Sequence, residues 1–335
     1  MIIFILEKIR KVLKSIGKLE FKIIDKLILL KNENKKYSSK SPLKYKDLEN
    51  IETKLNKNQN FPKKLVIVIC FYFKKNKLKI LEKTISEISL YKFKNDITII
   101  TNKLTGNQKK TLKKIIKKKL KYFSIQEINN IPETNFLPWY SLNVMRQKYK
   151  DKKNSHFMFI EDDILVNSRN ITYWICFRKI LKKYGLIPSF LRYEKYKKKY
   201  FSVDNPKKIK IKDHPTIQTV NKKFGFINSK FPYHAMYLMD RELMGKFLES
   251  DSVKIDFSFT NRIMRMLYPI KELANISYAY IDTPEGYHNN LMIPFNEDNK
   301  IPNYCLVEHC DLKYINLKKF NKMGYGTIDI DNLII

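Results

Sequence analysis

Three consecutive acids, Glu161, Asp162 and Asp163, interrupt an otherwise apolar stretch between His156 and Val166. Adjacent carboxylates repel one another and resist burial, yet residues 157–160 before them and 164–166 after them have the composition of a core. The acids therefore belong at the end of a core strand, neutralised by a cation or by solvent. A solvated acidic turn and a ligand site are both open from this stretch alone, and the surrounding pattern has to separate them.

Upstream, residues 65–73 read Leu-Val-Ile-Val-Ile-Cys-Phe-Tyr-Phe, a run whose length suits only a strand buried on both faces. Leu78, Leu81, Ile85 and Ile88 then recur at helical spacing, and residues 96–101 form a second buried strand ending at Asn102. A second helix presents Leu112, Ile115, Ile116 and Leu120 inward, and residues 122–128 form a third strand. This βαβαβ order requires parallel strands with crossover helices and places ligands at the carboxyl ends of the strands. A helix over 139–149, carrying Asn143 and Arg146, leads into the acidic strand. The acids thus emerge at the ligand-binding end of a fourth parallel strand, and the solvated turn loses ground. Residues 70–77 hold neither the dinucleotide fingerprint nor the Walker pattern, which argues against ordinary Rossmann dehydrogenases and P-loop enzymes.

The remaining chain reads as mixed α/β. A helix over 172–185 turns Trp174, Phe177 and Leu181 inward, and a strand over 186–194 carries Arg192 and Glu194 at same-face spacing, read as a structural ion pair. Residues 195–223 are polar and suit an insertion or hairpin. A strand over 232–239, with His234 packed beside it, precedes a helix that Asp240 would cap. Asp256 opens another helix, which it would cap.

The formal charge of +33 would suit a polyanion partner, but the excess is nearly all Lys, with abundant Asn and Ile, and follows the coding bias of an AT-rich genome. Most lysine runs are therefore read as solvated faces. Arg is scarce and the aromatics fall within apolar runs, so no specific nucleic-acid partner is expected. Cys70, Cys176, Cys305 and Cys310 have neither zinc-ligand spacing nor a disulfide framework, which fits a reducing cytoplasm. Residues 1–30 alternate apolar groups with Lys as a basic amphipathic helix, with no secretory or spanning segment. That helix would lie on an anionic membrane surface or dock on protein; the membrane is the preferred reading. Residues 31–62 read as a polar linker, and residues 63–335 as the catalytic domain.

Taken together, residues 65–73, 96–102, the Arg146 helix and residues 157–163 resemble the GT-A-type glycosyltransferases, with a Rossmann-like, mostly parallel sheet flanked by helices. The likeness is to family 2 and, in the Glu-Asp-Asp form of the Asp-x-Asp motif, to N-acetylglucosaminyltransferases; it covers residues 63 to 310. It implies transfer of a sugar from a nucleotide-diphosphate donor, UDP-linked, to a hydroxyl of a glycan or lipid-linked acceptor, with inversion; the few cysteines and the basic amphipathic N-terminus add an expected cytoplasmic location, peripheral on the inner face of a membrane. The same resemblance assigns Asp163 as a ligand of Mn²⁺ or Mg²⁺, and Glu161, Asp162, Arg146, Asn102 and Phe71 to the nucleotide sugar. Asp256 becomes the general base. His309, first, and His288 are candidates to complete the metal shell, because residues 308–314 resemble a closing His-x-x-x-x-Tyr segment. A nucleotidyltransferase, or a basic membrane- or nucleic-acid-binding protein without catalysis, is the alternative; the former would carry a Gly-rich signature near the first strand, and none is present.

Overall fold

The computed structural model describes residues 61–131, 134–214, 216–219, 224–228, 236–249 and 291–335, with Thr53 and Leu55. The expected amphipathic helix over 1–30, nearly all of the linker, and the candidates His234, Asp256 and His288 lie outside the described residues.

The first strand, β1 (Leu65–Cys70), is buried along its whole length, as its unbroken apolar sequence requires. It pairs in parallel with β2 (Asn95–Asn102) on one side and β4 (His156–Glu161) on the other. β3 (Ser124–Ile128) extends the sheet in parallel beyond β2, and β11 (Met236–Asp240) closes the far edge antiparallel to β4, giving the order β11-β4-β1-β2-β3. Two crossover helices lie between these strands. Helix α1 (Leu78–Ser89) buries Leu78, Leu81, Ile85 and Ile88 as their spacing predicts. Helix α2 (Gly106–Lys117) starts at a capping box between Thr105 and Gln108 and buries Leu112 and Ile116, leaving its lysines outside. A 3₁₀ turn, Thr134–Tyr140, and helix α3 (Ser141–Tyr149) lead into β4.

Beyond β4 the chain leaves this sheet. β5 (Ile164–Leu165) belongs to a second sheet of order β14-β8-β7-β13-β5, built with β7 (Leu191–Tyr196), β8 (Lys199–Ser202), β13 (Leu306–His309) and β14 (Ile328–Asp329). A third sheet, β6-β12-β10-β9, holds β6 (Ile187–Pro188), β9 (Thr216–Gln218), β10 (Phe224–Asn228) and β12 (Leu291–Asn296). Helix α4 (Ser168–Leu181) is buried on most sides, with Trp174, Phe177 and Leu181 in the core as expected. It begins earlier than its apolar pattern suggests, because Asn167 and Asn170 form a capping box and the Asn170 amide also donates to the carbonyls of Tyr304 and Leu306, at 2.8 and 2.9 Å.

The single strand expected over 186–194 divides in two. β6 pairs with β12 and β7 pairs with β13, in different sheets. Between them the buried Tyr173 hydroxyl donates to the Ser189 carbonyl at 2.8 Å, a tertiary contact that hydropathy does not report. The polar segment that follows includes a β7–β8 hairpin. Asp240 does cap the next helix, α5 (Arg241–Glu249), accepting from the Leu243 amide at 2.7 Å, and it also pairs with Arg178 at 3.0 Å. All four cysteines are free and buried.

His156 opens β4, edge-on to Trp174 with ring centroids 6.3 Å apart. Burial drives its pKa down to about 4, outweighing the opposing pull of Asp240. As pH falls from the ordinary value of 6.5 towards 4, the unfolded chain takes up this proton and the folded chain does not. Stability is therefore full above that window and declines through it, by on the order of 2 kcal/mol after allowance for the ring's partial exposure. Urea denaturation at about pH 7 and about pH 4.5 should show His156→Gln losing less stability across the interval than wild type. Equal losses would mean that the ring titrates normally in the fold.

Candidate active site

β2 and β3 are laid down on one side of β1, and β4 on the other. The loops leaving β1 and β4 therefore part at a topological switch point, the place where an open parallel sheet admits a ligand. The register sets Cys70 opposite Glu161 at that end, so Asp162 and Asp163 stand just beyond the last paired residues. Their backbone is held on several sides. The Asp162 amide donates to the Cys70 carbonyl at 3.1 Å, the Thr84 hydroxyl to the Asp162 carbonyl at 2.7 Å, and the Cys310 amide to the Asp163 carbonyl at 2.8 Å. The loop after β1 is tied in turn to the end of β2, because the Phe73 amide donates to Asn102 Oδ1 at 2.7 Å.

Asp162 and Asp163 are 7% and 2% exposed, a costly placement for two adjacent carboxylates. Lys77, in the 3₁₀ turn Lys75–Lys77 before α1, sets its ammonium 3.9 Å from Asp162 Oδ2 and 3.6 Å from Asp163 Oδ2. On the other side His309 Nε2 approaches Asp163 Oδ2 at 3.5 Å, an ion-pair distance without a formed hydrogen bond. His309 Nδ1 lies 2.7 Å from Glu194 Oε1. Glu194 is itself fixed, accepting from the amides of Tyr314 at 3.1 Å and Ile315 at 2.8 Å. The result is a buried line of alternating charge, Lys77, Asp163, His309 and Glu194.

This arrangement splits the acids electrostatically. Burial and the neighbouring Asp163 push Asp162 up to about 7, against the pull of Lys77. Burial also pushes on Asp163, but His309, Lys313 and Lys77 overcome it and hold that carboxyl well below the usual range. Glu161 is raised, first by burial and then by Asp163. Burial lowers His309, yet Asp163 and Glu194 more than offset it, so the imidazole is raised overall.

Of the sequence-derived candidates, the structure brings together Asp163, His309, Asp162 and Glu161, with Asn102 at the end of β2. Phe71 is fully buried, its ring edge-on to Phe73 at 5.9 Å; its side chain is a core element, and Tyr72 and Phe73 after it are half-buried against the same core. Arg146 is exposed near the end of α3. Its neighbour Lys148 bonds Asp96, at the start of β2, at 2.9 Å.

The expected Arg192–Glu194 pair is replaced. Arg192 binds Asp204 through Nε at 2.9 Å and Nη2 at 2.7 Å, while Glu194 serves His309. Same-face spacing placed both side chains on one side of β7 correctly. The partners come from later in the chain and carry no local signal. Lys77 was likewise hidden in sequence, standing beside Lys74 and Lys75 with nothing to distinguish it.

Asp162 Oδ2, Asp163 Oδ1 and His309 Nε2 are buried and make no hydrogen bond. Among the described residues no three His, Cys, Asp or Glu side chains are gathered as a metal cage. These donors suit Mg²⁺ or Mn²⁺, which take one or two protein ligands and complete their shell with water and substrate oxygens; they do not suit a fully protein-ligated ion.

No family model matches the sequence, and neither does any curated protein. Among solved structures, the crystal structure of S. aureus TarS superposes with a TM-score of 0.34 at 12% identity, over 55% of this chain and 29% of that one. The chain thus matches under a third of that protein's length, a likeness too slight to bear on what it does.

Glu194→Ala removes the acceptor for two backbone amides and for His309. It should destabilise the fold by about 3 kcal/mol, the cost of stranding buried partners. Urea denaturation at neutral pH measures this, and a loss below about 1 kcal/mol would mean that the line of charge is dispensable to the fold.

Proposed function

We propose that this chain is a metal-assisted glycosyltransferase of the GT-A type, moving a sugar from a nucleotide-diphosphate donor to an acceptor hydroxyl. The observation that carries the reading is the position of Glu161, Asp162 and Asp163 at the β1/β4 switch point, with Asp163 and His309 each keeping a buried donor atom unbonded. A parallel sheet needs no such cluster for stability, and although Lys77 and His309 offset its burial, they leave Asp163 Oδ1 and His309 Nε2 without a hydrogen bond, atoms suited to a cationic ligand.

In this reading Asp163 Oδ1 and His309 Nε2 hold Mn²⁺ or Mg²⁺, which supplies neutralisation of the diphosphate leaving group when bound. Glu194 fixes the imidazole ring through Nδ1, the usual role of a carboxylate behind a ligating histidine. Lys77 leans across the acids in the free protein and offers a second positive charge to the departing diphosphate. Asp162 and Glu161 face the nucleotide, with Asn102 and the loop carrying Tyr72 and Phe73 as its far wall. The resemblance adds a UDP-linked donor, a glycan or lipid-linked acceptor, inversion, and Asp256 as the base that deprotonates the acceptor hydroxyl.

Thermal denaturation with a panel of nucleotide diphosphates and nucleotide sugars, with and without Mn²⁺, tests the proposal. One nucleotide should raise the melting temperature by about 5 °C at a hundredfold excess over its Kd, only with metal present. Asp163→Asn should abolish the shift while keeping the fold's circular dichroism. If no nucleotide stabilises the protein with or without metal, the acid loop is not a donor site.

A further inference from the structure

Parallel strands send every exit loop to one end of a sheet and every entry loop to the other. Here the exit end holds the acids. The entry end is formed by residues 63–64, 92–94, 117–121 and 150–155, ahead of β1, β2, β3 and β4. These segments adjoin: the Leu65 amide donates to the Lys94 carbonyl at 2.9 Å, and the Ser155 amide to the Lys64 carbonyl at 3.0 Å. Exposed lysines crowd this edge, with two in residues 92–94, four in 117–121 and three in 150–153.

The acids of the same edge are already engaged. Asp96 faces Lys64 and Lys148, and Asp151 faces Lys64. At the adjoining β11–α5 corner Asp240 faces Arg178, and Glu242 faces Lys182 and Lys246. The field of the exposed lysines is thus left uncompensated. Amid them stand three of the fold's exposed large apolar groups, Tyr122 at 75%, Leu90 at 67% and Phe61 at 36%. Phe61 packs on Phe93, which stacks on Tyr91, rooting this apolar rim in the core.

We infer that the amino-terminal edge of the parallel sheet is a docking face for an anionic lipid bilayer. Clustered lysines around protruding aliphatic and aromatic groups match the two forces that hold a peripheral protein, attraction to anionic headgroups and shallow insertion of apolar tips. Nucleic acid fits less well, because the cations are Lys, lacking the planar fork that reads phosphates and bases, and an exposed Leu offers nothing to a base stack. The face belongs to the folded domain and acts together with, but separately from, the first thirty residues. With this edge on the bilayer, the acid loop opens at the opposite end.

Sedimentation of the full chain with vesicles tests this, comparing phosphatidylcholine alone with a mixture holding about 30% phosphatidylglycerol. Binding should require the anionic lipid and fall steeply between about 0.1 M and about 0.5 M salt. The triple variant K117E/K118E/K119E, with residues 1–30 intact, should lower the partition coefficient at least about tenfold, and L90S/Y122S should lower it as well. The matched reversal K207E/K208E/K210E, on exposed lysines away from this edge, should leave it within about twofold. Unchanged binding in the edge variants, or an equal loss in the control, would overturn the assignment. So would absence of vesicle binding alongside salt-sensitive binding of a labelled oligonucleotide, which would give the edge to nucleic acid.

Discussion

The whole arrangement depends on how two adjacent carboxylates, Asp162 and Asp163, are kept out of water at the end of a core strand beside the half-buried Glu161. Desolvation of a single unpaired carboxylate costs several kcal/mol, and adjacent ones repel each other besides. The fold meets this with an ammonium from one side and an imidazole from the other, so that Asp163 is flanked by Lys77 and His309, and His309 by Glu194. Each member is supplied by a different element: the turn before α1, the β4 exit, β13 and β7. Removing any one leaves a buried charge uncompensated.

That dependence explains the architecture around the site. The chain passes from β4 to β5 through the acids and so from one sheet into another, and β13 pairs antiparallel with β5 so that His309 stands opposite Ile164. β13 also runs parallel to β7, which carries Glu194 to the imidazole. Arg192, on the same strand, forms a second buried pair with Asp204 from beyond β8, sparing Glu194 for His309. The second sheet thus serves as the rear wall of a site whose front is the switch point of the first.

Parallel topology sorts all exit loops from all entry loops, so the acid cluster stands at one end of the sheet while the lysines of the entry loops come together at the other. A lysine run such as 117–119 reads in sequence as one more solvated face. Only when the entry loops are brought side by side does it become part of a continuous basic edge with apolar tips.

The sequence alone determined the parallel core: unbroken apolar runs can only be strands buried on both faces, and the helical periodicities between them can only be crossovers. It also determined that the acids emerge at the ligand-binding end, since the parallel direction of the strands follows from βαβ connectivity, and a resemblance of residues 308–314 to a closing segment of related transferases singled out His309. Tertiary structure alone decided which partners those acids have. Lys77 and Glu194, the division of residues 186–194 between two sheets and the replacement of the Arg192–Glu194 pair all turn on contacts between residues distant in the chain. Periodicity reports which face of an element is buried. It carries no information on what that face is buried against, and in a charged site the identity of the neighbour decides the chemistry.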